Sequence, residues 1–473
     1  MARPVPVNRE VAFGIEELFF SRTDERGIIL SGNDVFVRVS SHPREVLQGS
    51  PHNIIRHPDM PKAVFRVLWD TIQAGRPVSA YVKNMAADGA FYWVFATVFP
   101  IEGGYLSIRL KPSTPLFEKI PEIYRKMLEK EKKESPDSSL KFLQDVLKSV
   151  GFESYEKFMT SAIVSEIFSR LKSITGKTGP GSSVSEGVPH ELLQMGAQCM
   201  QSAEQSTFIF GKLVGFADMD RALAERSAFI LRSLQSLDLL AVNMSTAAKR
   251  LGAAGVTLVA IANAIQKAAY EFKEDLKKFN ESAAQVKASV KTFEFRIGTS
   301  QLQIDMTDFY VKEITGNVTS FSAGYLADIL VNTKFLLQLA EKSVWNLRDE
   351  MQDLKAQLKK ISGDVEQLRS TINSLEIIRK TGGIEVAQLN DGKADFQNYF
   401  SGMTALVHET RDQLGSFSEI VRRSLQDIEE IRQPLYKISD SVAELQRLNR
   451  GAEERTGMVS GMEAPDSSPE AQL

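Results

Sequence analysis

The chain has 473 residues, of which 43% are apolar and 25% charged, and its formal net charge is −3. This composition is that of an ordinary soluble protein of two or three domains, without the basic footprint of a nucleic-acid binder. A single cysteine, Cys199, excludes an intrachain disulfide framework and fits a reducing compartment.

The opening stretch "MARPVPVNREVAFG" lacks the apolar core of a secretory signal, and the longest apolar run, "GVTLVAIANAI", is about half of what a bilayer requires. A cytoplasmic protein without membrane insertion is expected. Residues 1–113 hold nearly all the strand-like pattern. "FFSRTDERGIILS" reads as strand, polar turn at Gly27, strand, and "VSAYVKNMAADGAFYWVFATVFP" repeats that design around Asp88-Gly89. "GYLSIRLKP" adds a further strand. Short helical stretches lie between the hairpins, the last with Val64, Leu68 and Ile72 at four-residue spacing. An α+β domain with an antiparallel sheet of about five strands is expected.

Residues 114–172 read as a helical connector, 173–189 as a flexible linker rich in Gly and Ser, and 450–473 as a disordered tail. Between them the chain is almost wholly helical. Leu223, Ile230, Leu237 and Met244 recur every seven residues. Two more series, Ile265 to Phe293 and Val344 to Leu375, alternate spacings of four and three, and a fourth runs from Leu414 to Leu445. Such spacing argues coiled coil. Glycines interrupt at Gly252–Gly255 and again at Gly382, Gly383 and Gly392. The pattern predicts two long antiparallel hairpins, at 190–320 with a tip near 252–255, and at 325–449 with a tip near 382–392. Pro434 is expected to kink the last arm. The fold class is therefore α+β followed by all-α, with hairpins able to pair into a four-helix bundle.

Catalytic signatures are missing. There is no phosphate-cradling loop, HExxH, CxxC pair or GxSxG elbow, and "TGGIEVAQ" has no Lys-Ser/Thr. His190 and His408 stand isolated, so no enzyme is expected. The run "RHPDMP" supports two readings. Asp59 caps the helix that starts after Pro61, with His57 an exposed turn residue. Alternatively Arg56 and His57 present donors to an anionic group of a ligand.

The segment "TDERGIILSGNDVFVRVSSHPREVLQGSPHNIIRHPDMPKAVFRVLWDTIQAG", together with "AYVKNMAADGAFYWVFATVFP" and "GYLSIRLKPS", resembles a PAS domain. Its pattern is similar to the aerotaxis and energy-taxis branch. The segments "IPEIYRKMLEKEKK" and "SLKFLQDVLKSVGFESYEKFM" resemble those trailing this domain in the soluble partner of bipartite energy-taxis systems. The resemblance implies non-covalent FAD and sensing of redox or oxygen status. The flavin-associated positions correspond to Asn33, Arg56, His57, Asp59, Trp69, Lys83, Asn84, Tyr92 and Trp93. Where the best-known flavin binders of the branch carry "PWSG", this chain has "PVSA", with Val78 for an aromatic ring and Ala80 for glycine.

"LLAVNMSTAAKRLGAAGVTLVAIANAI" resembles the hairpin tip of chemoreceptor signalling domains, a surface that in the family grips the histidine kinase and its coupling protein. Its tip positions correspond to Asn243, Ala247, Arg250, Gly252, Ala253 and Gly255, with Ala247 and Ala253 in place of two acidic residues. The paired glutamates of adaptation methylation are absent from both arms. These resemblances imply a cytoplasmic PAS redox sensor that relays flavin state through residues 117–172 to the hairpins, with chemotaxis-type signalling proteins or a membrane receptor as partners. A homodimer competes with the intrachain bundle. The alternative is a non-enzymatic coiled-coil scaffold whose PAS domain docks without a cofactor.

Overall fold

A computed structural model describes residues 4–174, 190–317, 323–389 and 393–455. The linker from residue 175, Gly392 and the tail from residue 456 lie outside the described residues. Two compact units divide the chain. One comprises residues 1–210, 294–347 and 434–473, the other 211–293 and 348–433.

In the first unit, β1 (Phe19–Asp24), β2 (Ile29–Gly32), β3 (Val78–Met85), β4 (Phe91–Ile101) and β5 (Gly104–Leu110) form an antiparallel sheet in the order β2-β1-β5-β4-β3. Between β2 and β3 run α1 (Asp34–Ser40), α2 (Arg44–Leu47), a single 3₁₀ turn (His52–Ile55) and α3 (Lys62–Gln73). Strand registers pair Val82 with Val94, Asn84 with Tyr92, Ala96 with Arg109 and Phe19 with Arg109, which places all these residues on the inner face.

The outer face is covered as well, so the strands are buried almost throughout. Helices α4 (Pro115–Glu118), α5 (Ile120–Lys133), α6 (Pro136–Ser149) and α7 (Tyr155–Ile174) come after the sheet. Tyr81 and Trp93 meet Phe117 at ring separations of 5.6 and 5.4 Å. The Glu166 carboxylate of α7, fully buried, accepts from Tyr81 Oη, Thr114 Oγ1 and the Ser113 amide at 2.6–2.8 Å.

The long helices are α8 (His190–Gly211), α9 (Leu213–Arg250), α10 (Val256–Asn317), α11 (Ala323–Ala387) and α12 (Lys393–Arg455). In the first unit α8, α10, α11 and α12 each lend a residue, Cys199, Ile304, Leu337 and Val442, to one small gap in their core. Two of these helices also receive the sheet. Phe20 of β1 meets Tyr310 edge to face at 5.0 Å, and the Arg22 guanidinium lies 4.8 Å over the Phe335 ring. Ser31 Oγ donates to Asn332 Oδ1 at 2.6 Å.

In the second unit the neighbours run antiparallel. Arg226 reaches Gln413 and Lys212 reaches Asp427 between α9 and α12. Gln367 and Thr371 donate to Asp275 between α11 and α10, and Arg411 donates to Asn373 between α12 and α11. These segments make an intrachain four-helix bundle. The heptad residues Ile265 to Phe293, Val344 to Leu375 and Leu414 to Leu445 are all buried, as are Ile230, Leu237 and Met244, each leucine worth roughly 1.5–3 kcal/mol of transfer free energy. The Leu223 side chain lies outside the described residues.

One expectation is corrected here. Gly382 and Gly383 do not break the second hairpin, since α11 continues to Ala387. A Cβ on Gly382 would stand 2.2 Å from the Phe400 ring, so this glycine makes room for a core aromatic of α12. Pro434 lies within α12, which remains helical on both sides of it. At the first tip the glycines do turn the chain: Gly252 has φ +58°, and a Cβ on Gly255 would meet the Ala248 carbonyl at 1.9 Å.

Candidate functional site

Between α3, the 3₁₀ turn and the inner face of the sheet lies a cavity of about 260 Å³. The sequence brings its walls together by a backbone bridge between Arg56 and Asn84, which fastens the RHPDMP turn to β3. Arg56 Nη2 donates to the Met60 carbonyl at 2.9 Å, and its guanidinium carbon lies over the Phe65 ring, 4.1 Å from the centroid. That packing presents the guanidinium at the cavity wall. Trp69 stands edge-on to Tyr105 at 5.6 Å, and both line the cavity. The Ser107 hydroxyl also lines it, buried and without a hydrogen-bond partner among the described residues.

Of the nine residues expected to meet a flavin, Arg56, Trp69 and Asn84 line the cavity. The other six stand elsewhere. His57 is buried with its Nδ1 accepting the Asp59 amide at 3.1 Å, so its ring locks the turn instead of lying exposed. Asp59 is not a helix cap: its carboxylate accepts from Lys83 Nζ at 2.7 Å. The cap of α3 comes from Glu131 of α5, whose carboxylate accepts the Lys62 and Ala63 amides, each at 2.9 Å. Lys83 and Trp93 fall on the opposite side of the pleat from Asn84. Tyr92 is fully buried beside Phe19, with a hydroxyl that has no hydrogen-bond partner among the described residues and is raised by burial above its ordinary pKa.

Asn33 faces away from the cavity. Its Oδ1 accepts the Phe20 amide at 3.1 Å, and its Nδ2 donates to the Leu18 carbonyl at 3.1 Å and to Glu313 Oε2 of α10 at 2.9 Å. The other Glu313 oxygen accepts the Val35 amide at 3.1 Å, so a carboxylate from α10 occupies the N-terminus of α1.

Two charge-bearing or titratable residues of the cavity, His52 and Arg109, were not among those expected to meet a ligand. Both are buried, with Arg109 Nη2 2.7 Å from His52 Nε2. Burial, and then the Arg109 charge, lower His52 to about 3, so the imidazole is a neutral acceptor. A sequence signal for Arg109 existed: a cation in the apolar strand "YLSIRLKP", in phase with Ser107 and Tyr105. Val78 is buried against Ile72 and Val98, which line the cavity, beside Trp69.

At the first tip, Asn243, Arg250, Gly252 and Ala253 are exposed, Ala247 is half-buried and Gly255 is buried. Leu239, Val242 and Val256 are exposed near them. No helix among the described residues is long and apolar enough to cross a membrane, and no group of residues there could hold a metal ion.

Residues 29–107 match the family of the PAS fold. The chain is 37% identical over 129 residues to the aerotaxis receptor of Escherichia coli strain K12. The match covers 26% of each protein, so the chain spans about a quarter of the length of the relative it matches. The N-terminal α+β domain is thus a PAS fold, followed by long helices.

Proposed function

We propose that this chain is a non-enzymatic, cytoplasmic PAS-type redox or energy sensor of the aerotaxis class, holding FAD non-covalently in the cavity and signalling through its long helices. The observation that carries this reading is the cavity itself. It offers donors at Arg56 and Asn84, an unpartnered hydroxyl at Ser107 and an aromatic surface at Trp69, in a domain similar to part of an aerotaxis receptor.

The residues fit such a group in two parts. At about 260 Å³ the cavity is smaller than the ~300–1,000 Å³ of pockets that enclose whole ligands, so it takes a flat ring system. An open groove outside shares Pro51, Asn53 and Arg56 with it and adds Lys62 and Lys132, cations suited to phosphates. A bound flavin would supply reversible electron uptake. Arg56 and Asn84 would orient the ring, and Trp69 and Ile72 would exclude water.

Strand β1 supports the relay. Ser21 and Thr23 line the cavity, whereas Phe20 and Arg22, which alternate with them, touch Tyr310 and Phe335. A rearrangement at the ring therefore has a path of one strand's thickness to α10 and α11, besides the connector 117–172 expected to carry it. Chemotaxis-type proteins are the proposed partners, meeting the tip around Asn243 and Arg250, with Ala247 and Ala253 altering the choice among them.

Purified protein is expected to carry one flavin per chain, released on denaturation and bleached reversibly by dithionite. Asn84→Ala should weaken its retention roughly tenfold, the worth of a buried hydrogen bond to a ligand. A folded, colourless protein that takes up no added FAD contradicts the reading and favours the cofactor-free docking domain.

A further inference from the structure

One cation in the cavity wall has no counter-charge among the described residues. Arg109 is 2% exposed. Its Nη2 donates to Ser21 Oγ at 2.8 Å and to His52 Nε2 at 2.7 Å, and Nη1 to the Ser107 carbonyl at 3.4 Å. The rings of Phe36 and Phe19 lie 5.4 and 5.8 Å from the guanidinium. Every one of these partners is neutral, and among the described residues no carboxylate stands within ion-pair distance. Burial lowers Arg109 only to about 10, so it is charged at neutral pH. Cation–π contacts and neutral acceptors soften this arrangement, but a buried charge ordinarily has an ion-pair partner or a metal.

We propose that the missing counter-charge arrives with the ligand: Arg109 is the electrostatic partner of a ring that gains negative charge on reduction, so the cavity binds reduced flavin more tightly than oxidised flavin. This rests on the flavin reading proposed for the cavity. Two electrons from an external donor, dithionite in the test, and one proton from water reduce the ring with a net gain of one negative charge. No bond to the protein forms or breaks. Arg109 keeps its charge in both states, and only the difference in binding between them matters.

The test is an anaerobic titration of the full chain with FAD, oxidised and dithionite-reduced, giving a ratio of dissociation constants. Wild type should favour the reduced form. Arg109→Lys should keep the preference, and Arg109→Met should diminish it at least tenfold, about 30 mV for a two-electron couple. Ser21→Asp leaves the arginine in place and sets an acid beside it. It should abolish the preference while raising the thermal midpoint of the flavin-free protein. Equal affinities in wild type, or a ratio unmoved by Ser21→Asp and Arg109→Met, overturn the role of Arg109 and leave the flavin reading standing. Failure of FAD to bind in either state overturns both.

Discussion

Arg170→Ala is expected to lower the stability of the folded chain by about 3–5 kcal/mol, the loss seen when one partner of a buried ion pair is removed. Arg170 of α7 is 6% exposed and donates to Asp305 Oδ2 of α10 at 2.8 Å and to the Glu16 carbonyl at 3.0 Å. Gln301 donates to the other Asp305 oxygen at 2.7 Å. Burial raises the Asp305 carboxyl above its ordinary range even though Arg170 opposes it. The assembled pair therefore adds little net stability, yet removing the arginine strands a buried acid. Urea unfolding should show a lower midpoint with an unchanged slope. The double change Arg170→Met with Asp305→Leu should recover most of the loss. A loss under about 1 kcal/mol for Arg170→Ala would put the pair with ordinary surface bridges.

Glu313 should make the same unit sensitive to pH. Burial is the main cause that raises its carboxyl from 4.5 to about 7, and the charge of Asp34 adds to it. The bonds from Asn33 and Val35 and the charge of Arg44 oppose the rise without cancelling it. The folded state thus binds the proton more tightly than the unfolded chain. Its contribution is full below pH 4.5 and is lost as pH rises through about 7, by roughly 3 kcal/mol in total. Glu313→Gln should remove that slope, and the difference between the two stability–pH curves isolates it from other titrating groups. Parallel curves from pH 4.5 to 8 would show that the carboxyl titrates alike in both states.

The helical half was largely legible because a heptad repeat states directly which side of a helix is covered. The series through Phe272, Leu358 and Phe417 needed no knowledge of the partner to be read as core. The same logic failed at Gly382, whose reason for being glycine is Phe400 on the next helix. In the sheet, alternation separates Asn84 from Lys83 but does not say what covers either face. Here both faces are buried, so the polar–apolar contrast that would mark an inner face is lost. Asn33 lay within a motif whose resemblance implied a ligand, and its bond to Glu313 joins residues far apart in the chain. The cap of α3 was unreadable for the same reason, since Glu131 belongs to a helix beyond the sheet. Arg109 was within reach of the sequence, as the lone cation among the inward positions of its strand.

The relay itself can be tested by amide hydrogen exchange on the FAD-loaded chain, oxidised against dithionite-reduced. Exchange should change in β1 and in the helical segments around Tyr310 and Phe335, where the outer face of that strand meets α10 and α11. Differences confined to the cavity wall, with those segments exchanging alike in both states, would contradict a signal that leaves the PAS domain through β1.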